Sequence, residues 1–522
     1  MKILLAYISG TPDRRDPYIN LLPTGVCSLH AFLREAGFDV LLANFSGWTS
    51  AAIRQQLTEQ KPDIVGISQW THNRHASLDL AALVRQLVPL STVIMGGAHA
   101  TFSFAEILRA GAAVDCVVLG EGEETLLDIV RRCRDGLDWR DVAGIAYVRG
   151  DDVVVTSPRA PLENLDRLPA AATVLEHSIG VDIPLQAEFI ITTRGCPSAC
   201  YFCSSPKFWN RTVRFRSPEN IVSEMTYIRD RYGLMYFSLR DDTFTVDRAR
   251  TIAFCRLLIE RRLYVLWNCQ SRVTTLDEEL LVWMKRAGCE CIQLGVESGS
   301  PRILSQLGKS ITPLQVEQAA GLIRKVGINL SVYLITDVPG ETEEDIHQTI
   351  ELLRRIRPDD GYVSPLAYFP GTRLFEEAVA DGSIERAVFE KSLATAVLSV
   401  EKRGKSARRI LKHLADGAPR AVQRFQEQKS LLGYCYATNV LAGEFYRLSG
   451  DRLGAEREFN EIVGQQPDNP WGWFLLAELY AEIGRAVQSA ECYRTVCRII
   501  PEHGPSRLAL SPKKKRGRKG PA

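Results

Sequence analysis

This 522-residue sequence predicts an α/β protein with two parallel sheets and an all-helical C-terminal region. Three observations carry that expectation. Apolar strand-like runs alternate with helical stretches over residues 1–150, and a second series of strand–loop–helix units fills 186–384. A 34-residue period then runs through 431–505. Residues 151–185 read as a linker, 385–430 as a helical connector, and 506–522 as a basic tail.

The first strand, Met1 to Tyr7, is apolar and has no basic leader. A helix over about 23–36 follows, then strand-like runs at 38–43, 63–68, 92–97 and 114–120. Strands alternating with helices give a doubly wound open sheet, with ligand loops beyond the strand carboxyl ends. Gly96, Gly97, Gly120 and Gly122 lie at two such ends, where bare backbone lets a large ligand approach. No loop has the G-x-G-x-x-G pattern or a Walker lysine, so nucleotide phosphate is not the expected guest.

The apolar run 189–193 leads into Cys196, Cys200 and Cys203, spaced C-x3-C-x2-C with no fourth cysteine close by. Three thiolates on one short loop can hold three irons of a [4Fe–4S] cube, which ordinarily takes four protein ligands. The fourth iron is then open, so that S-adenosylmethionine (SAM) can chelate it through amino and carboxylate groups and accept an electron. Zinc also uses cysteine-rich loops, but usually as two short pairs. Gly195 and Pro197 suit a loop wrapped round a compact inorganic group, and Phe202 offers a flat face to adenine. Further β-rich runs begin at Met235, Cys291 and Leu330, and each is followed by a helical stretch. Chemistry in such a parallel sheet sits on loops at the strand carboxyl ends, where the cysteine loop falls.

With these motifs, residues from about 186 to 380 resemble the radical SAM core domain, a partial β/α barrel, and the three cysteines match its cluster motif. The resemblance implies further SAM contacts. Arg240, Asp241 and Asp242 stand where the family carries a Gly-Gly-Glu-type element for the SAM amino group, with charged residues in place of the glycines. Glu297 matches a SAM-contacting position, and Val338, Pro339 and Gly340 match the segment packed near adenine. Arg272 is the expected partner of the SAM carboxylate, because a guanidinium binds carboxylates bidentately. The segment Tyr368 to Arg373 resembles one that closes the barrel on the substrate side.

The N-terminal third resembles the Rossmann-like cobalamin-binding domain that precedes many radical SAM cores. The matches are Asp63-x-Val-Gly-Ile-Ser68, Gly96-Gly97-x-His99 with Thr101, and Gly120-Glu-Gly122-Glu-x-Thr125. Ser68, Gly96, Gly97, His99, Gly120 and Gly122 are therefore the expected cobalamin contacts. The Asp-x-His-x-x-Gly motif that supplies a lower axial histidine is missing, and residues 10–22 contain no histidine. A lower face without imidazole from that loop follows. His72, His75 and His99 read as surface or hydrogen-bonded side chains rather than metal ligands.

The composition fits a two-cofactor enzyme. Thirteen cysteines without regular pairing argue for a reducing compartment, with the cytoplasm expected. Cys289 and Cys291 read as structural thiols entering a strand. No apolar run reaches the ~18 residues of a membrane span, and no signal peptide precedes the first strand. The tail from Pro512 holds six of the 64 basic residues, leaving 58 against 62 acidic ones, so nucleic acid is not an expected partner. In the repeats, Leu441 corresponds to Leu475, Tyr446 to Tyr480, Gly450 to Gly484, Phe459 to Tyr493 and Pro467 to Pro501. That pattern resembles two tetratricopeptide units, fewer than stand alone, which should lean on the connector. They read equally as a docking surface for a protein or peptide and as a helical appendage.

The resemblance implies reductive SAM cleavage at a [4Fe–4S] cluster, giving a 5′-deoxyadenosyl radical, with cobalamin alongside. Methyl transfer to an unactivated carbon of a small molecule or peptide is the leading expectation, with flavodoxin or ferredoxin as electron donor. A cyclase, ring-rearrangement or oxidation enzyme is the alternative, since the chain also resembles anaerobic magnesium-protoporphyrin ester cyclase. A methylthiotransferase ranks low, because Cys27, Cys116 and Cys133 are too scattered for a second cluster. A non-catalytic cluster-bearing sensor or scaffold is the reading from another class.

Overall fold

The computed structural model describes residues 1–9, 21–111, 113–394, 396–399, 405–415 and 422–511. The histidine-free stretch 10–20 and the basic tail from Pro512 lie outside the described residues.

The N-terminal part is an eight-stranded sheet. Its strands are Lys2–Tyr7 (β1), Asp39–Asn44 (β2), Ile64–Ser68 (β3), Thr92–Gly96 (β4), Cys116–Val118 (β5), Ile145–Arg149 (β6), Asp152–Val155 (β7) and Ser178–Ile179 (β8), in the order β7-β6-β5-β4-β3-β1-β2-β8. Strands β1 to β5 and β8 run parallel, while β6 and β7 form an antiparallel hairpin on one edge. The central strands are apolar on both faces, as a sheet covered by helices on both sides requires. In β1, Ile3, Leu5 and Tyr7 enter one core, and Leu4 and Ala6 enter the other. The chain switches direction across the sheet between β1 and β3, the place where open sheets of this kind bind ligands.

Residues 151–185 are not a free linker, because β7 and β8 extend this sheet at its two edges. The β-branched run Val153 to Val155 is a strand former that folds back on β6 across Gly150, whose φ of 62° permits the turn.

The second sheet contains Phe189–Ile190 (β9), Tyr236–Leu239 (β12), Leu266–Ser271 (β13), Cys289–Glu297 (β14), Asn329–Thr336 (β15) and Asp360–Pro365 (β16), ordered β16-β15-β14-β13-β12-β9 and parallel throughout. It is a half-barrel backed by helices such as Pro218–Tyr232 and Pro313–Val326. The expected strand over 189–193 is broken in two. Thr193–Arg194 (β10) leaves the sheet to pair with Arg214–Phe215 (β11). The cause is Asp241, whose carboxylate accepts the Thr192 and Thr193 N–H groups at 2.6 and 2.9 Å and so takes them from the ladder.

The C-terminal helices repeat. Tyr436–Leu448 and Arg452–Gln465 recur as Pro470–Glu482 and Ala486–Ile499, 34 residues further on. They lean on the half-barrel itself as well as on the connector helix Val422–Leu432. The Tyr436 hydroxyl donates to the Val265 carbonyl at 2.7 Å. A Cβ on Gly233 would lie 2.1 Å from the Glu502 carbonyl, and one on Gly288 would lie 2.3 Å from the Tyr436 hydroxyl. Gly233, Val265 and Gly288 all precede half-barrel strands, so the repeats close the end opposite the cysteine loop.

Candidate active site

The cysteine loop is held from three sides. Buried Asp241 fixes its entry, as described above. Gly195, at φ 107°, brings the loop so close to Thr212 that a Cβ would lie 1.9 Å from its carbonyl oxygen. Tyr201 staples the middle: its N–H donates to Leu307 at 3.0 Å, and its carbonyl accepts from Leu374 at 2.9 Å. Cys196 is buried, while Cys200 and Cys203 are half-buried. Burial pushes the Cys203 thiol up to about 12; a hydrogen bond with the Ser205 backbone opposes this, and Asp242, Cys200 and Cys196 add to it. A bound metal reverses that logic by stabilising the thiolate. Among the described residues, no three His, Cys, Asp or Glu side chains converge as the ligands of one ion would.

A cavity of about 640 Å³ lies between the two sheets at their strand carboxyl ends. Ser68, Gly96, Gly97, Gly120 and Gly122 line it from the first sheet, and Cys203, Arg240 and Asp242 from the half-barrel. Gly97 has φ 108°, and a Cβ there would sit 2.5 Å from the Gln69 carbonyl oxygen. Two loops therefore cross backbone to backbone under the cavity. Asp242 opens onto the cavity and accepts the Ser205 hydroxyl; the protein around it pushes its carboxyl up. The glycine cradle and the thiol set are of the kinds that a large planar cofactor and an iron–sulfur cluster require.

Sequence reasoning missed what joins the two sheets. Arg194, one residue before the loop glycine, pairs with Glu121 at 2.7 Å and Glu123 at 2.5 Å, and Arg214 pairs with Glu121 at 2.7 Å. Burial alone would raise the Glu123 carboxyl, but the Arg194 guanidinium and the Ser28 hydroxyl outweigh it and leave it below its ordinary value. Both acids lie in the motif that suggested cobalamin. Their role between the sheets had no local signal, because the partners are some 70 residues away.

Several expected contacts are not brought to this cavity. His99 is buried against Thr71, with Nδ1 to Oγ1 at 3.1 Å, and its ring meets Phe389 edge-on at 5.5 Å. Burial, with Arg74 and His75 nearby, lowers its pKa to about 3. The cause is the segment after the half-barrel, which Arg74 grips through the Phe389, Ser392 and Ala394 carbonyls and which covers the imidazole. Phe202 packs with Tyr201 against the apolar cluster that includes Val338 and Leu307. Glu297 bonds Lys309 at 2.6 Å in a buried pair, at a bulge where its own φ is 64°. Arg272 is half-buried beyond β13 and does not line the cavity. The Pro339 and Gly340 carbonyls accept from Gln306 and Arg302, both at 2.8 Å. Of the charged triplet, Asp241 is structural, and Arg240 has only donors. Asp242 alone of the three offers a cavity-facing acceptor.

Two largely parallel sheets thus face one cavity, with the three-thiol loop at the junction between them. Comparison with known proteins divides the chain the same way. Residues 190–353 match the model of the radical SAM superfamily, and residues 18–130 match that of the B12 binding domain. The chain is 31% identical over 364 residues to uncharacterized methyltransferase PH0819 of Pyrococcus horikoshii, covering 69% of this chain and 79% of that one. It is 32% identical over 369 residues to the anaerobic magnesium-protoporphyrin IX monomethyl ester cyclase of Rubrivivax gelatinosus, covering 69% of this chain and 66% of the relative, just under two thirds. The solved structure of the cobalamin-dependent SAM radical enzyme OxsB, with aqua-cobalamin and SAM bound, shares the fold at a TM-score of 0.64 and 16% identity, covering 96% of this chain and 84% of that one. The chain belongs to the cobalamin-binding radical SAM enzymes. Its cofactors are a [4Fe–4S] cluster, SAM and cobalamin.

Proposed function

We propose that this enzyme transfers a methyl group to an unactivated carbon, with Cys196, Cys200 and Cys203 holding the cluster and the glycines of the first sheet cradling cobalamin. When bound, the cluster supplies the electron that cleaves SAM, and cobalamin supplies a methyl carrier. The observation that carries the reading is the cavity that Cys203 and Asp242 share with Gly96, Gly97, Gly120 and Gly122. In it, Asp242 would accept from the SAM amino group, and Asp241 keeps the loop in place. The Arg194 pairs would fix the spacing between the two cofactor loops. Phe202 and Val338, in one apolar cluster, would flank adenine together with Pro339 and Gly340. Glu297, Arg272 and His99 would then act from outside the cavity.

All thirteen cysteines are free thiols, and no helix among the described residues is long and apolar enough to cross a membrane. A reducing cytoplasmic setting, electron supply from flavodoxin or ferredoxin, and a protein partner on the repeats belong to the same proposal. The relative named as a cyclase favours one second reading, ring formation or oxidation with the same cofactors. Reduced, reconstituted enzyme with methyl-labelled SAM and candidate substrates separates the two. Label in the product supports methyl transfer. Substrate-dependent 5′-deoxyadenosine with no label moved supports the second reading.

A further inference from the structure

Barrels of parallel strands ordinarily fill their inward face with branched apolar side chains. In this half-barrel the outward positions follow that chemistry: Phe237, Leu239, Cys269, Leu294 and Val332 are buried in the core that the helices share. The inward positions are polar. Strand register sets Gln270 beside Gln293 and Gln293 beside Ser331. Arg240 follows Leu239 just as Gln270 follows Cys269, the register partner of Leu239. Arg240, Gln270, Gln293 and Ser331 therefore form one row across four strands. One row lower, Ser238, Asn268, Cys291 and Asn329 continue the polar face.

The upper row does not satisfy itself. Gln293 Oε1 accepts from Arg240 at 3.4 Å and from the Tyr333 hydroxyl at 2.9 Å. The Ser331 hydroxyl is buried without a hydrogen-bond partner, which native interiors rarely leave so. Arg240 lines the cavity, its guanidinium 5.0 Å from the centre of the Phe189 ring. Among the described residues no carboxylate lies within ion-pair distance of it. Glu188 feels its charge from further off, and Asp242 is engaged by Ser205. A guanidinium carries five donors and no acceptor, so the group that completes it is an oxyanion.

We propose that this row is the floor of the substrate site and that the substrate carries an oxyanion, a carboxylate or a phosphate, bound by Arg240. Gln293 and Ser331 take the neighbouring polar atoms of the same molecule. The assignment rests on the radical SAM reading above and adds a substrate class to it.

The test uses the full chain, reconstituted anaerobically with cluster and cobalamin and saturated with SAM. Equilibrium dialysis against labelled benzoate, phenyl phosphate and benzamide should show one anion retained at least tenfold more tightly than the neutral amide. Whichever anion binds more tightly names the group. Arg240→Met should abolish that preference, Arg240→Lys should keep part of it, and Ser331→Ala should weaken retention two- to threefold. The change that SAM causes in the electron paramagnetic resonance signal of the reduced cluster should persist in Arg240→Met. Equal retention of the three probes, or none, overturns the proposal. Loss of the SAM-induced change in Arg240→Met overturns it too, because the guanidinium would then serve the SAM carboxylate. A wild-type protein that assembles no cluster, or whose cluster ignores SAM, fails at the earlier reading before any probe is added.

Discussion

The two parallel sheets use their faces in opposite ways. In the first, both faces are apolar and covered, so only the strand ends remain for a ligand, and glycines stand there. In the second, one face is apolar and the other carries Arg240, Gln270, Gln293 and Ser331, a polar row that reaches the cavity through Arg240. A large rigid cofactor needs only a shaped edge. A reacting substrate must be oriented from several sides, and a concave face provides that. The two meet where Arg194 joins the cysteine loop to Glu121 and Glu123.

The strongest way to separate the sheets is Cys200→Ala. Iron and sulfide analysis should show the cluster lost and SAM cleavage abolished, while visible absorbance shows cobalamin still bound. Loss of both cofactors together would mean that the sheets are not independent sites.

Arg194→Met attacks the junction. It leaves Glu123, only 3% exposed, without its cation, and breaking a buried pair from one side costs about 3–5 kcal/mol. Denaturant unfolding measures that loss. The sign with pH is also fixed. A carboxyl held below its ordinary value of 4.5 contributes stability that is present above that value and lost as pH falls through the lowered one. The wild-type melting temperature should therefore drop on acidification below about pH 4.5, and the variant should lose the part of that drop that Glu123 contributes.

Gly97→Ala tests the edge of the first sheet alone. Its φ of 108° and the 2.5 Å approach to Gln69 predict a loss of about 1–3 kcal/mol. Cobalamin retention should fall at least tenfold with the iron content unchanged. Tyr436→Phe, at the closed end of the half-barrel, should cost about 1 kcal/mol for the lost bond to Val265. Both cofactors should stay at wild-type occupancy, as titrations of iron and cobalamin would show.

Much of the site was legible because its residues are close in sequence. The spacing of Cys196, Cys200 and Cys203 and the glycine pairs at strand ends are local patterns tied to local geometry. What escaped was set by long-range contact. Asp241 looked like part of a SAM-binding triplet, but its nearest donors are Thr192 and Thr193, some 48 residues earlier. His99 reads as a cobalamin contact because it follows two cavity glycines, and only the return of Phe389 buries it. Strand β13, with Trp267 outward and Asn268 and Gln270 inward, lacks the continuous apolar run of a buried parallel strand, so its sequence does not read as one. The same mixture is what makes the inner face polar.

The sequence by itself determined the two alternating αβ patterns, the three-thiol loop and the 34-residue helical repeat. Each is a periodicity or spacing that the backbone turns into structure without reference to distant residues. Tertiary structure alone decided which charges pair across the sheets, which end of the half-barrel the repeats seal and which polar side chains share a row. Those depend on strand register and on contacts between segments tens to hundreds of residues apart, where the energy lies in three-dimensional proximity and leaves no imprint on neighbouring positions.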